Sequence, residues 1–242
     1  MTVHLVGAGP GDPELLTVRA ARLIREAEVI VHDSLVDSSV LALARPGAEL
    51  VDVGKKPGRP TPQELINALL VHLGAEGRNV VRLKGGDPYV FGRGGEEADA
   101  LRSAGIDFTV VPGVSSAISA PAAAGIPVTH RGVSVGFTVV TGHRESGGSS
   151  SINWEALAQV GGTIVVLMGV AQRGDIAAQL ADAGLSLDTP VAAVHRATTG
   201  DETVVRCALR ELATTPIESP AVLVIGAVAS LDVRSIAAEL RS

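Results

Sequence analysis

Short apolar runs alternate with segments of helical period through the first half of the chain. Val3–Val6 reads as a strand, followed by a glycine-rich turn and a helix from about Glu14 to Ala27. Val29–His32 is a second strand with a helix near Ser38–Ala44, and Leu50–Val53 is a third. Thr61 as N-cap, Pro62 at the first helical position and Glu64 three residues after the cap form a predicted capping box that starts a helix. Val80–Leu83 is a fourth strand, Glu96–Ala104 a helix and Phe108–Val111 a fifth strand. Apolar strands alternating with helices predict a mostly parallel sheet covered on both faces.

The pattern restarts after a helix-like segment, Ser115–Ala124. Val135–Thr141, Thr163–Met168, Val191–His195, Thr203–Arg206 and Ala221–Val228 are predicted strands. Trp154–Val160, Arg173–Ala183 and Ala208–Ala213 are predicted helices. Glu145–Ser151 has the Ser/Gly composition of a flexible loop. The expectation is two α/β domains, residues 1–118 and 119–242, with mostly parallel or mixed sheets. The cleft between them is the default site.

Composition narrows the field. Of 242 residues, 46% are hydrophobic but only 2% aromatic, so the core must be built from Ala, Val, Leu and Ile. The net charge of −6 weighs against a nucleic-acid partner, which needs a basic footprint. Cys207 is the single cysteine, which excludes an internal disulfide and a Cys-rich metal site. His130, His143 and His195 lack metal-ligand spacing, so no metal is expected. Residues 1–6 read as a strand rather than a signal peptide. Val110–Val128, interrupted by Pro112, Pro121 and Pro127, reads as buried packing rather than a membrane span. A cytoplasmic protein without membrane attachment is expected.

The candidate chemistry sits in loops that follow strands. Gly7-Ala-Gly-Pro-Gly-Asp-Pro13 permits a tight turn and close backbone approach to a ligand. A dinucleotide fingerprint would need glycine where Asp12 stands, and Pro10 and Pro13 lack the N–H groups a pyrophosphate seeks. A nicotinamide enzyme and a purely structural turn both stay open on this motif alone. Lys84-Gly-Gly-Asp-Pro88 follows the fourth strand, where parallel sheets hold ligands. It is equally good turn chemistry. Phe91-Gly-Arg-Gly-Gly-Glu-Glu97 enters a helix whose start favours Glu96 and Glu97. An arginine between glycines is harder to assign to packing. Asp33 ends the second strand and Lys55 follows the third, so both fall at one sheet edge. They are candidate acid–base partners or two solvated charges. Ser115-Ser116 lacks a hydrolase elbow.

Together these segments resemble the tetrapyrrole methylase family, and within it the uroporphyrinogen-III C-methyltransferases. The resemblance is carried by Val6–Thr17, His32–Val36, Val53-Gly-Lys55, Arg82–Pro88, Phe91–Glu97, Val111-Pro-Gly113, Ala124–Arg131, Thr141-Gly-His143, Met168-Gly169 and Ser219-Pro-Ala221, in the family's order. It implies a homodimer, S-adenosylmethionine held in the interdomain cleft, and S-adenosylhomocysteine as product. It also implies a small-molecule tetrapyrrole substrate, uroporphyrinogen III, methylated on two pyrrole carbons through precorrin-1 to precorrin-2. By motif match the cofactor meets Pro10, Gly85, Gly86, Asp87, Val90, Ser115, Ser116, Met168 and Ala197. Asp33 matches the proton acceptor and Lys55 the proton donor. Arg93, Glu96, Arg131 and Met168 match positions facing the macrocycle, and Arg93 is a rival base. His195–Glu202 departs from the family's pattern of Glu, a variable residue, Gly or Ala, then Thr or Ser, which bears on Ala197. Without a fused dehydrogenase–chelatase module, the chain is expected to stop at precorrin-2. A nicotinamide oxidoreductase and a non-catalytic binder on the same fold are the competing classes.

Overall fold

The computed structural model describes residues 2–54, 61–143 and 152–234. Lys55 and the expected Glu145–Ser151 loop lie outside the described residues. The chain divides into two compact units, residues 1–115 and 116–242.

The first unit is a parallel sheet. Its strands are β1 (Val3–Gly7), β2 (Val29–His32), β3 (Glu49–Asp52), β4 (Val80–Lys84) and β5 (Phe108–Val111), in the order β3-β2-β4-β1-β5. Every pairing is parallel. Strand side chains alternate between two buried layers. Val6, Ile30, Val81 and Leu83 pack with Leu23 and Ile24 of α1 (Val18–Glu26). Val3, Leu5, Val29 and Val80 pack with Leu70 of α3 (Gln63–Ala75) and Leu101 of α4 (Gly94–Ser103). Between β2 and β3 lies the short α2 (Ser38–Leu41), capped by Asp37.

Two helix starts differ from expectation. Glu14 belongs to a 3₁₀ turn, Pro13–Leu15, whose first N–H groups Asp12 caps. α1 begins only after Thr17, whose hydroxyl accepts from Ala20 N at 3.1 Å. The expected capping box at Thr61 is absent. The Pro62 carbonyl accepts the first bonds of α3, from Leu65 and Ile66, so Pro62 is the N-cap and has no side-chain acceptor to offer.

The second unit is a mixed sheet of β6 (Phe137–Thr141), β7 (Thr163–Leu167), β8 (Pro190–His195), β9 (Thr203–Ala208) and β10 (Ala221–Ile225), ordered β6-β7-β10-β8-β9. Only β6 and β7 run parallel; the other pairs are antiparallel. α5 (Ser116–Ala123) covers one face, with Ala117, Ala120 and Ala124 buried against Val165, Val194 and Val222. α6 (Trp154–Val160) and α7 (Arg173–Asp182) lie on the other. The strand expected to reach Val228 stops at Ile225, because Gly226 turns the chain at φ 134° into a 3₁₀ turn. The helix expected at Ala208–Ala213 is likewise a 3₁₀ turn, Leu209–Glu211. Among the described residues no helix is long and apolar enough to cross a membrane.

Candidate active site

The carboxyl edge of the parallel sheet collects most of the residues singled out from sequence. The loops after β1 and β4 are tied together there. Gly9 N donates to Gly86 O at 3.2 Å, and Gly86 N donates to Gly9 O at 2.8 Å. Gly7, Gly86 and Gly113 meet backbone to backbone. A Cβ on Gly7 would lie 2.5 Å from Gly113 Cα and 2.6 Å from Gly86 O. Asp87 fastens the same junction: Oδ2 accepts from Gly113 N at 3.0 Å and Oδ1 from Tyr89 N at 2.8 Å. Its carboxylate therefore shapes the loop. Tyr89, Val90 and Phe91 on the β4 loop and Leu35 on the loop after β2 are exposed, an apolar rim around polar backbone. Pro10 sits in the β1 loop beside Gly9 and Gly11, both at positive φ.

Below this edge lies a buried charge cluster. Arg82 and Lys84 stand two apart on β4, so both side chains leave the same face, toward α4. Glu97 of α4 is fully buried, and its Oε1 accepts from Arg82 Nε at 3.0 Å, Lys84 Nζ at 2.8 Å and Gln63 Nε2 at 3.2 Å. Glu97 Oε2 is buried and has no hydrogen-bond partner among the described residues. Arg82 reaches outward as well: Nη2 donates to Asp33 Oδ1 at 2.5 Å, and Nη1 donates to the Leu83 and Val31 carbonyls at 3.3 and 3.4 Å. Asp33, just past β2, is 30% exposed at its side chain. Its Oδ2 makes no hydrogen bond among the described residues. Burial, then the neighbouring Arg82 charge, pushes the Lys84 ammonium below the usual lysine range, against the opposing pull of Glu97.

Arg93 takes a left-handed backbone, φ 59°, as the residue before α4. The glycines around it are accounted for by close packing. A Cβ on Gly92 would lie 2.8 Å from the Pro88 carbonyl, and one on Gly94 would collide with the same oxygen. Arg93 grips Glu96 bidentately, Nε to Oε1 and Nη2 to Oε2, both at 2.7 Å. This pair is half-exposed, and the guanidinium holds the Glu96 carboxyl below its ordinary range.

The remaining residues belong to the second unit, apart from Ser115, which closes the first; Ser116 opens α5. Met168 follows β7 with φ 55° and is 50% exposed. Ala197 is buried in the core that α5 covers. The departing segment around it is a compact turn: Thr198 N donates to Glu202 Oε2 at 2.8 Å, and Arg196 pairs with Asp201 at 3.0 Å. Arg131 is exposed in the tight turn His130–Ser134 and has no ion-pair partner among the described residues. No group of three His, Cys, Asp or Glu among the described residues is placed to hold a metal ion.

The structure thus joins Asp33 to Arg82 and Arg93 to Glu96. Arg82, Lys84 and Glu97 were not singled out from sequence as site residues. Two charges inside the apolar run Val80-Val-Arg-Leu-Lys84 of a central strand were the signal for them.

The family model of the tetrapyrrole (corrin/porphyrin) methylases matches residues 2–213. The chain is 50% identical over 235 residues to an S-adenosyl-L-methionine-dependent uroporphyrinogen III methyltransferase of Methanosarcina barkeri, covering 95% of this chain and 92% of the relative. It is 47% identical to a siroheme synthase of Psychromonas ingrahamii over 95% of this chain, spanning 49% of that longer protein. Among solved structures, the uroporphyrin-III C-methyl transferase of Thermus thermophilus complexed with S-adenosylhomocysteine is similar at TM-score 0.83 and 47% identity. That match covers 94% of this chain and 98% of the other.

Proposed function

Because the chain belongs to the tetrapyrrole (corrin/porphyrin) methylase family, we propose that it methylates two pyrrole carbons of uroporphyrinogen III with S-adenosylmethionine, giving precorrin-2 through precorrin-1. The observation that carries this reading is the 50% identity that extends over 92% of an S-adenosylmethionine-dependent relative. The nicotinamide alternative is disfavoured by local structure. A dinucleotide's pyrophosphate rests on a helix that opens directly from the glycine loop. Here a capped 3₁₀ turn and then Thr17 separate that loop from α1.

The residues present suit an adenosyl sulfonium: an apolar rim of Leu35, Val90 and Phe91 beside backbone groups brought close by Gly85 and Gly86. By motif match the proposed cofactor residues are Pro10, Gly85, Gly86, Asp87, Val90, Ser115, Ser116, Met168 and Ala197. S-adenosylmethionine supplies an electrophilic methyl group when bound. The protein's task is to orient a nucleophilic pyrrole carbon and accept the proton released from it.

Asp33 is the better base. Arg82 occupies Oδ1 of this partly exposed side chain, which leaves Oδ2 to take a proton. Arg93, the rival, has a guanidinium that stays charged in proteins, and Glu96 holds it bidentately. It suits a different task. Uroporphyrinogen III carries carboxylates on every ring while the chain is net negative, so local cations must receive it. Arg93 and Arg131 are assigned that role, with Glu96 aligning the Arg93 fork and Met168 facing the macrocycle. Lys55 remains the proposed proton donor by motif match.

The reading carries with it a cytoplasmic homodimer acting on a small molecule. Light scattering at micromolar concentration is expected to give twice the chain mass, and a monomer would remove the dimer from the proposal. The functional test is thermal-shift titration followed by a methyl-transfer assay. S-adenosylhomocysteine at a hundred times its Kd should add about 2.7 kcal/mol of stability. NAD should add none. Stabilisation by NAD alone would refute the reading, as would cofactor binding with no methyl transfer to uroporphyrinogen III.

A further inference from the structure

The buried cluster beneath Asp33 has a one-sided geometry that charge balance alone does not require. Glu97 gathers all three of its donors on Oε1 and leaves Oε2 bare. A carboxylate buried only to neutralise two cations would share them between its oxygens. Instead Oε1 is drawn to the point where it meets Arg82 Nε, the guanidinium nitrogen on the same edge as the Nη2 that donates to Asp33. With Nη1 on the Val31 and Leu83 carbonyls, every nitrogen of Arg82 is committed. Its plane is fixed by neighbours on separate elements, Glu97 of α4 on Nε, Asp33 just past β2 on Nη2, and strand carbonyls on Nη1.

We propose that Glu97 is a positioning residue for methyl transfer: acting through Arg82, it sets the rotamer of Asp33 and so aims Oδ2 at the substrate. Lys84 and Gln63 hold Glu97 in turn, and Lys84 offsets its charge. This inference rests on the reading of Asp33 as the proton acceptor. Glu97 touches no reacting atom. Its influence is geometric, and a displacement of about 1 Å at a catalytic group costs roughly 10²-fold in rate.

Removing one buried charge alone risks unfolding, so the test uses charge-neutral pairs. Glu97→Gln/Lys84→Met keeps an oxygen for Arg82 Nε; Glu97→Leu/Lys84→Met does not. Both are measured for thermal midpoint, S-adenosylhomocysteine affinity, KM for uroporphyrinogen III and kcat. Both should fold and bind S-adenosylhomocysteine within about threefold of the parent. The glutamine pair should keep kcat within about fivefold, whereas the leucine pair should lose on the order of 10²-fold in kcat with KM little changed. Equal kcat in the two pairs overturns the proposal. If the leucine pair does not fold, Glu97→Asp replaces it. That change keeps the charge and draws the carboxylate back by one methylene, so kcat should fall about tenfold or more. Parental kcat there also overturns the proposal. Asp33→Asn is assayed alongside. Full activity in Asp33→Asn defeats the reading of Asp33 itself, whereas loss in Asp33→Asn with equal pairs defeats only the role of Glu97.

Discussion

Replacing Gly7 with alanine tests whether the meeting of three strand ends sets up the site. Gly7 has no positive φ, so backbone strain is not at issue. The added Cβ would lie 2.5 Å from both Gly113 Cα and Gly113 N, and 2.6 Å from Gly86 O. Ordinary contact begins near 3.4 Å, and these are backbone atoms with no rotamer to yield. The ends of β4 and β5 would have to retreat by about 1 Å from β1 against a close-packed surround. Overpacking of this kind costs about 1–3 kcal/mol. The stiffer unfolded chain returns about 0.4–1 kcal/mol. At roughly 2–4 °C per kcal/mol for a chain of this size, the midpoint should fall by several degrees. Because Gly86 and Asp87 ride on the displaced junction, affinity for S-adenosylhomocysteine should fall about tenfold or more, a loss near 1.4 kcal/mol. Calorimetry provides both readouts. Gly95→Ala is the control: it adds a methyl group with nothing within 4 Å, on a helix, and should leave the midpoint unchanged or raise it. A Gly7→Ala protein that melts with the parent and binds S-adenosylhomocysteine equally well would refute the reasoning.

Asp33→Asn should lower kcat by about 10²- to 10⁴-fold while S-adenosylhomocysteine affinity stays within a few-fold, as single-turnover assay and calorimetry will establish. Arg93→Leu should raise KM for uroporphyrinogen III sharply yet change stability by less than about 1 kcal/mol, because its pair with Glu96 is half-exposed. That small stability difference has a defined pH dependence. Arg93 depresses the Glu96 carboxyl, so the pair's contribution is present above the ordinary glutamate range and is lost as pH falls through the lowered folded value. Urea unfolding of parent and Arg93→Leu should therefore converge as pH falls through that lowered value. A gap that widens on acidification would contradict the assignment.

Much of the fold is written in local pattern. β1, β2, β4 and β5 follow their apolar runs almost residue for residue, because a strand buried on both faces leaves little room for polar side chains. The glycine loops were equally legible as turns. What local pattern does not carry is which partner a polar side chain finds. Asp87 accepts from Gly113 N, 26 residues away, a contact no local motif announces. Pro62 displaced Thr61 as cap because the Pro62 carbonyl, not the Thr61 hydroxyl, meets the first turn of α3. The Arg82–Glu97 contact depends on how α4 is rotated over β4, a tertiary fact. Its trace in sequence is only that two cations interrupt an apolar strand.

The strand order has a consequence for synthesis. β1 has no neighbour close to it in sequence: Val3 pairs with Val80 on one side and Phe108 on the other. At a translation rate of about 5–20 residues per second, Val3 waits roughly 4–15 s for its first partner to be made. During that time α1, with Leu23 and Ile24, can cover one face of the strand, but both hydrogen-bonding edges stay open. β2 and β3, joined through α2 alone, can zip while they wait. β4 is the piece both β1 and β2 require, and it brings Arg82 and Lys84 with it. Glu97 leaves the ribosome soon after, so the two buried cations enter the sheet only shortly before the anion that neutralises them.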